Sequence, residues 1–215
     1  MPSDSPRQAR QRVFPYVGCL TYHALPRGLR LAMSTSGPVL TLLRQQTGEI
    51  HRRLEQRMDA VSRLAARESR GDLVRRYHQF HEAVEAAIAP LAADLGLAEW
   101  RRLPLIKNAL AALDLAPLPA ASHVRLINRE QALGALYVLN GSTLGGKVIL
   151  KDIAGRGADR TGLGFLDPHG DDVGHTWRSF VVVLEREVKN PGQAAIGALA
   201  AFAHAEETLC LKAAA

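Results

Sequence analysis

Aromatic residues make up only 5% of this 215-residue chain, which leaves little of the ring and β-branched material that strand-rich folds pack. Cysteine is almost absent: Cys19 and Cys210 stand near opposite ends, so neither a disulfide framework nor a cysteine metal site can be built from them. A reduced, cytoplasmic protein is expected. Continuous apolar runs are short, and none reaches the length of a membrane span, so no membrane partner is expected. Acidic residues are scarce at the start, where positions 1–33 hold five arginines against the single Asp4. Several prolines, among them those at 2, 15 and 26, interrupt that stretch, and it lacks the apolar core of a secretory signal. It reads as a poorly ordered N-terminal extension, with Met33 as a second start position and one domain over 34–215.

The formal net charge is +6, but much of the excess sits in that extension. Elsewhere Arg and Glu alternate along helix faces, the pattern of a solvated surface rather than a nucleic-acid stripe. The basic balance suits an acidic ligand or an acidic protein partner.

What the chain does have is alanine, leucine and helical periodicity, and the fold expected is all-α. Ser36-Gly37-Pro38 reads as a helix start with a capping serine. Leu40, Leu43, Ile50, Leu54, Met58, Val61 and Leu64 then recur at helical spacing over 39–66. Gly71-Asp72 is expected to break and recap the chain before a helix over 73–95. A third helix over 97–113 carries Pro104 as a kink or a late start. Asn128 and Gln131 form a capping box for a helix that begins near 129. Positions 155–170 should be a surface loop, 176–188 a helix despite the β-branched FVVVLE, and 194–211 a final alanine-rich helix.

The unusual stretch is Ala132–Ile153, ALGALYVLNGSTLGGKVILKDI. Three glycines, 141, 145 and 146, interrupt its helical pattern at a cost of roughly 1 kcal/mol each relative to alanine. Gly134, Gly141 and Gly145 share one face, a bare backbone stripe that admits either a neighbouring helix or a flat ligand. Far upstream, Arg44, Thr47 and His51 share a face of the first helix. Arg44 stands about 10 Å from His51 at the helical rise of roughly 1.5 Å per residue. His51 is either a packed boundary residue or a metal ligand.

The two stretches carry a resemblance. LRQQTGEIHRRLE (Leu43–Glu55) resembles the proximal-helix pattern of heme oxygenases, and YVLNGSTLGGKVI (Tyr137–Ile149) resembles their glycine-bearing distal helix. GDDVGHTWRSF (Gly170–Phe180) is similar to a segment found in bacterial members, including those that make bilin for phytochromes. The resemblance covers about 39–212. It implies a helical bundle with heme sandwiched between the two helices, heme being both substrate and cofactor and its iron held by His51 as axial ligand. It further implies Arg44 and Arg178 beside the propionates, Thr47, Tyr137 and Gly146 against the macrocycle, and Gly141, Ser142 and Gly145 where O2 reacts. A wall without acid or base suits attack on the porphyrin edge, because a distal His or Arg would promote O–O cleavage instead. Ser142 stands where mammalian members carry an aspartate, and Asn140 where bacterial ones more often carry a glutamate.

The implied reaction turns heme, O2 and external electrons into biliverdin, CO and ferrous iron. No flavin or nicotinamide fingerprint is present, so a ferredoxin or a reductase would supply the electrons. A bacteriophytochrome is a possible bilin acceptor. Two other readings stand beside it: a heme-binding or trafficking protein of the same fold, and a helical interaction module whose glycines serve helix packing.

Overall fold

A glycine, not the serine before it, opens the first helix. In this computed structural model, which describes residues 36–95, 100–120 and 122–210, α1 runs Pro38–Met58 with Gly37 as its N-cap. Pro38 at the first helical position has no N–H to satisfy. The free amides behind it are met from across the fold: Val39 N and Leu40 N donate to the Glu185 carboxylate at 3.2 and 2.9 Å. A carboxylate there also complements the positive end of the helix dipole.

The remaining helices are α2 (Ala60–Ala65), α3 (Arg67–Ala92), α4 (Leu103–Ala112), α5 (Arg129–Gly155), α6 (Val173–Glu187) and α7 (Pro191–Leu209). Short 3-10 turns occupy Ala93–Leu95, Gly164–Leu166 and Gly170–Asp172, and no strand occurs among the described residues. The fold is all-α.

Two boundaries differ from expectation. The long first helix is broken at Asp59, which takes a left-handed conformation (φ 44°), and again at the extended Ala66. Gly71 and Asp72, in contrast, do not break the chain; α3 passes through both. One helical glycine costs only about 1 kcal/mol, and the buried Arg70, Leu73 and Val74 around it outweigh that. The missing Cβ also leaves room for the Leu115 side chain. Asp72 faces the arginines, binding Arg63 at 2.9 Å and Arg76 at 2.8 Å. Pro104 lies in the first turn of α4, a late start rather than a kink.

The cap of α5 is as expected in part. Asn128 Oδ1 accepts from Gln131 N, while Gln131 Oε1 accepts from Ile127 N, one residue earlier than a capping box requires. The helix is continuous through Gly141, Gly145 and Gly146. Contrary to the expectation from apolar runs, α5 is long and apolar enough to cross a membrane; 67% of its apolar window is buried inside the protein, as a core helix is. FVVVLE is helical, with Val173, Trp177, Phe180, Val181 and Leu184 buried at the spacing of one face.

The centre of the fold is the contact of α5 with α7. A Cβ on Gly134 would collide with the Ala194 carbonyl, and one on Gly197 with the Gln131 carbonyl. These pairs run in opposite senses, so α5 and α7 are antiparallel with their backbones nearly touching. α7 also carries α1: Arg53 binds Glu206 through two bonds of 2.6 and 2.7 Å, and Phe202 meets His51. Both α1 and α5 pack mainly on α7 and on α6 and only sparsely on each other, which leaves a cleft-like seam between their facing sides. The extension over 1–33 lies outside the described residues.

Candidate functional site

One wall of the cleft is the face of α1 that bears Arg44, Thr47 and His51. Leu40, Leu43 and Leu54 anchor the helix in the core. That leaves the neighbouring stripe at the cleft, with Arg44 and His51 half-buried and Thr47 fully buried. The His51 side chain is 32% exposed, and Glu55, one turn on, lies 3.5 Å from its Nε2. Partial burial holds the imidazole below its usual pKa, so it is neutral at pH 7. A neutral imidazole is the form that binds a metal, and a carboxylate at one ring nitrogen orients the ring and raises the basicity of the other. Phe202 from α7 packs against the same ring, with centroids 5.5 Å apart and planes at 71°.

The other wall is α5. Tyr137 is half-buried and hydrogen-bonds to Thr47, so the phenol spans the cleft. Thr47 Oγ1 also bonds the Leu43 carbonyl at 2.7 Å. Burial raises the Tyr137 pKa against the opposing effects of Thr47 and the Arg44 charge. The phenol is therefore neutral at pH 7.

Gly141, one turn further along, is half-exposed, and a Cβ there would meet only the Trp177 ring, at 3.8 Å. Ser142 beside it is exposed, while Gly145 is buried. Between Tyr137 and Gly146 no residue is acidic or basic. The polar side chains there all bond back into their own helix: Asn140 to the Leu136 carbonyl, Ser142 to that of Leu139 and Thr143 to that of Asn140, at 3.1, 2.7 and 2.7 Å.

The glycine stripe thus divides. Gly134 belongs to the contact with α7, and a Cβ on Gly146 would collide with the Leu166 carbonyl. Gly146 therefore serves the docking of the 164–172 segment, which Lys147 also grips through the Gly170 carbonyl and Asp171. The bare face of Gly146, expected against the macrocycle, is occupied here by the Leu166 backbone. Arg178 is exposed on α6, beside the buried Trp177, whose ring lies 6.0 Å from that of Tyr137.

These residues fit a flat iron macrocycle. The cleft has the partly exposed His51 imidazole on one wall and the side-chain-free backbone of Gly141 on the other. Arg44 sits two turns from His51, at the end that Tyr137 closes. Among the described residues no cluster of three or more His, Cys, Asp or Glu is arranged to hold a bare metal ion. Two surface cavities lie elsewhere: one, of about 380 Å³, is lined by α4 and Phe165, and the other, of about 900 Å³, runs along the start of α3.

Sequence reasoning missed Phe202 and did not weigh Trp177 alone, because each acts through a contact with a distant helix. The only local signal for Trp177 is its place directly before Arg178.

No family model matches the chain. It is similar to a protein named "Heme oxygenase" from Xanthomonas campestris pv. campestris (strain 8004), 29% identical over 147 residues. That alignment covers 66% of this chain and 88% of the relative.

Proposed function

We propose that this chain degrades heme, using O2 and electrons from a separate donor to give biliverdin, CO and ferrous iron. The observation that carries the reading is the cleft itself. A neutral His51 backed by Glu55 stands on one wall, and a glycine-bearing stretch of α5 without acid or base forms the other. The named relative supports the same reading.

Heme supplies the iron at which O2 is reduced, and the substrate carbon lies in the same macrocycle. The chain's residues hold it and control protons. His51, neutral at pH 7, would hold the iron through its imidazole. Arg44 is a permanent cation suited to a propionate carboxylate, and exposed Arg178 is a second candidate. Gly141 lets the backbone of α5 approach the ring, since a side chain there would occupy the space the macrocycle needs. Ser142 donates to Leu139, and its oxygen is left to accept from a water molecule. With no acid or base between Tyr137 and Gly146, this wall would offer bound oxygen no strong proton donor of its own.

The electron donor would be a ferredoxin or a reductase, and a bilin-binding photoreceptor is a candidate acceptor of the product. Titration with hemin, followed by ascorbate or a ferredoxin system in air, tests the reading. A saturable Soret band that decays into a broad red-absorbing bilin spectrum is expected. A Soret band that persists under reductant would show a binding protein instead, and no band would overturn heme binding altogether.

A further inference from the structure

The His51 imidazole is touched from two directions, and only one contact comes from its own helix. Glu55 reaches it from the next turn at 3.5 Å. Phe202 reaches it from α7, its ring tilted 71° to the imidazole at 5.5 Å between centroids. Phe202 is 5% exposed, so it is part of the core rather than a mobile surface ring. The helix behind it cannot shift independently, because its backbone is seated on α5 at Gly134–Ala194 and Gly197–Gln131. The soft coordinate of a histidine is rotation about χ2, a broad torsion with no strong preference of its own. An aromatic wall fixed by the core restricts that rotation where a 3.5 Å contact with a partly exposed carboxylate leaves it loose.

We infer that Phe202 is a positioning residue, which fixes the rotational setting of the His51 imidazole plane over the bound macrocycle. The inference rests on the heme reading above. The plane of an axial imidazole decides which iron d orbitals receive its π density. Its angle is therefore readable in the g anisotropy of the low-spin ferric state and in the spread of the heme methyl NMR shifts. Total affinity depends far less on it.

The test uses Phe202→Leu and the longer, more flexible Phe202→Met, with Phe202→Tyr retaining the ring. In the heme-free protein, the ring protons of His51 should carry a ring-current shift that is lost in the Leu and Met variants and kept in the Tyr variant. In the hemin complex with cyanide, Leu and Met should alter the EPR g values and the methyl pattern, with hemin affinity changed less than about tenfold. The Tyr variant should retain the parent pattern. Unchanged g values and methyl shifts in a Leu or Met variant that binds hemin would overturn the inference. A parent protein that binds no hemin would overturn the reading beneath it, and the heme-free NMR experiment separates that failure from a failure of the His51–Phe202 contact.

Discussion

Tyr137 and Thr47 share a side-chain hydrogen bond across the cleft, so one bond joins the two walls directly while α6 and α7 join them from behind. Replacing Tyr137 by Phe removes the phenol hydroxyl and keeps the packing against Trp177. Thermal or urea unfolding should show a loss of about 1 kcal/mol, the usual net worth of an intramolecular hydrogen bond. Hemin dissociation should be faster in the same variant, which stopped-flow transfer to apomyoglobin would measure.

Two glycines of the same helix should respond oppositely to the same change. Gly134→Ala drives a methyl group into the Ala194 carbonyl. Overpacking of this kind costs on the order of 1–3 kcal/mol or more, and the melting temperature should fall sharply. Gly141→Ala meets only the Trp177 ring at an ordinary contact distance. It should leave the heme-free protein as stable or up to about 1 kcal/mol more stable through helix propensity, yet weaken hemin binding or bilin formation. A Gly141→Ala variant with unchanged hemin affinity and turnover would remove this residue from the site.

Acid should destabilise the protein well above the range in which carboxylates titrate. His81, His78 and His204 are buried, and desolvation lowers the pKa of each below 6.5. For His81 the burial outweighs its bond to Glu85. Above pH 6.5 these groups are neutral both folded and unfolded and contribute no pH dependence. As pH falls below 6.5 the unfolded chain takes up protons that the folded chain does not, so stability declines until the folded pKa values are reached. Urea midpoints between pH 7.5 and 5 should drop progressively, and His204→Phe should shallow the slope.

Glu185 provides a fourth test. Its carboxylate receives Val39 N and Leu40 N, so it caps α1 from α6. Glu185→Ala should cost about 1–2 kcal/mol, the upper range for losing a cap, and hydrogen exchange should rise at the amides of 39–41 before it rises elsewhere.

The helices that form the cleft are legible in the sequence because the apolar residues of 39–58 and 129–155 repeat with the helical period. The break at Asp59 is hidden, since it depends on one residue taking a left-handed conformation inside an unbroken pattern. Gly71 misleads in the opposite direction: its local cost suggests a break, and burial of its neighbours overrides it. The stripe at 134, 141 and 145 shows that something approaches α5 closely but cannot name it. Only the assembled fold gives Gly134 to α7 and leaves Gly141 at the cleft. Phe202 and Ala194 lie far along the chain from His51 and Gly134, and no local pattern connects such pairs.

The three back-bonded side chains of α5 have an electrical consequence. Asn140, Ser142 and Thr143 each direct a donor hydrogen at a carbonyl one turn behind. Where a hydroxyl of this wall is exposed, at Ser142, it offers lone pairs outward and keeps its hydrogen inward. The surface is polar yet carries no acid or base between Tyr137 and Gly146, so under the heme reading its protons would be drawn from bulk solvent. Turnover should then carry a solvent isotope effect in deuterated water.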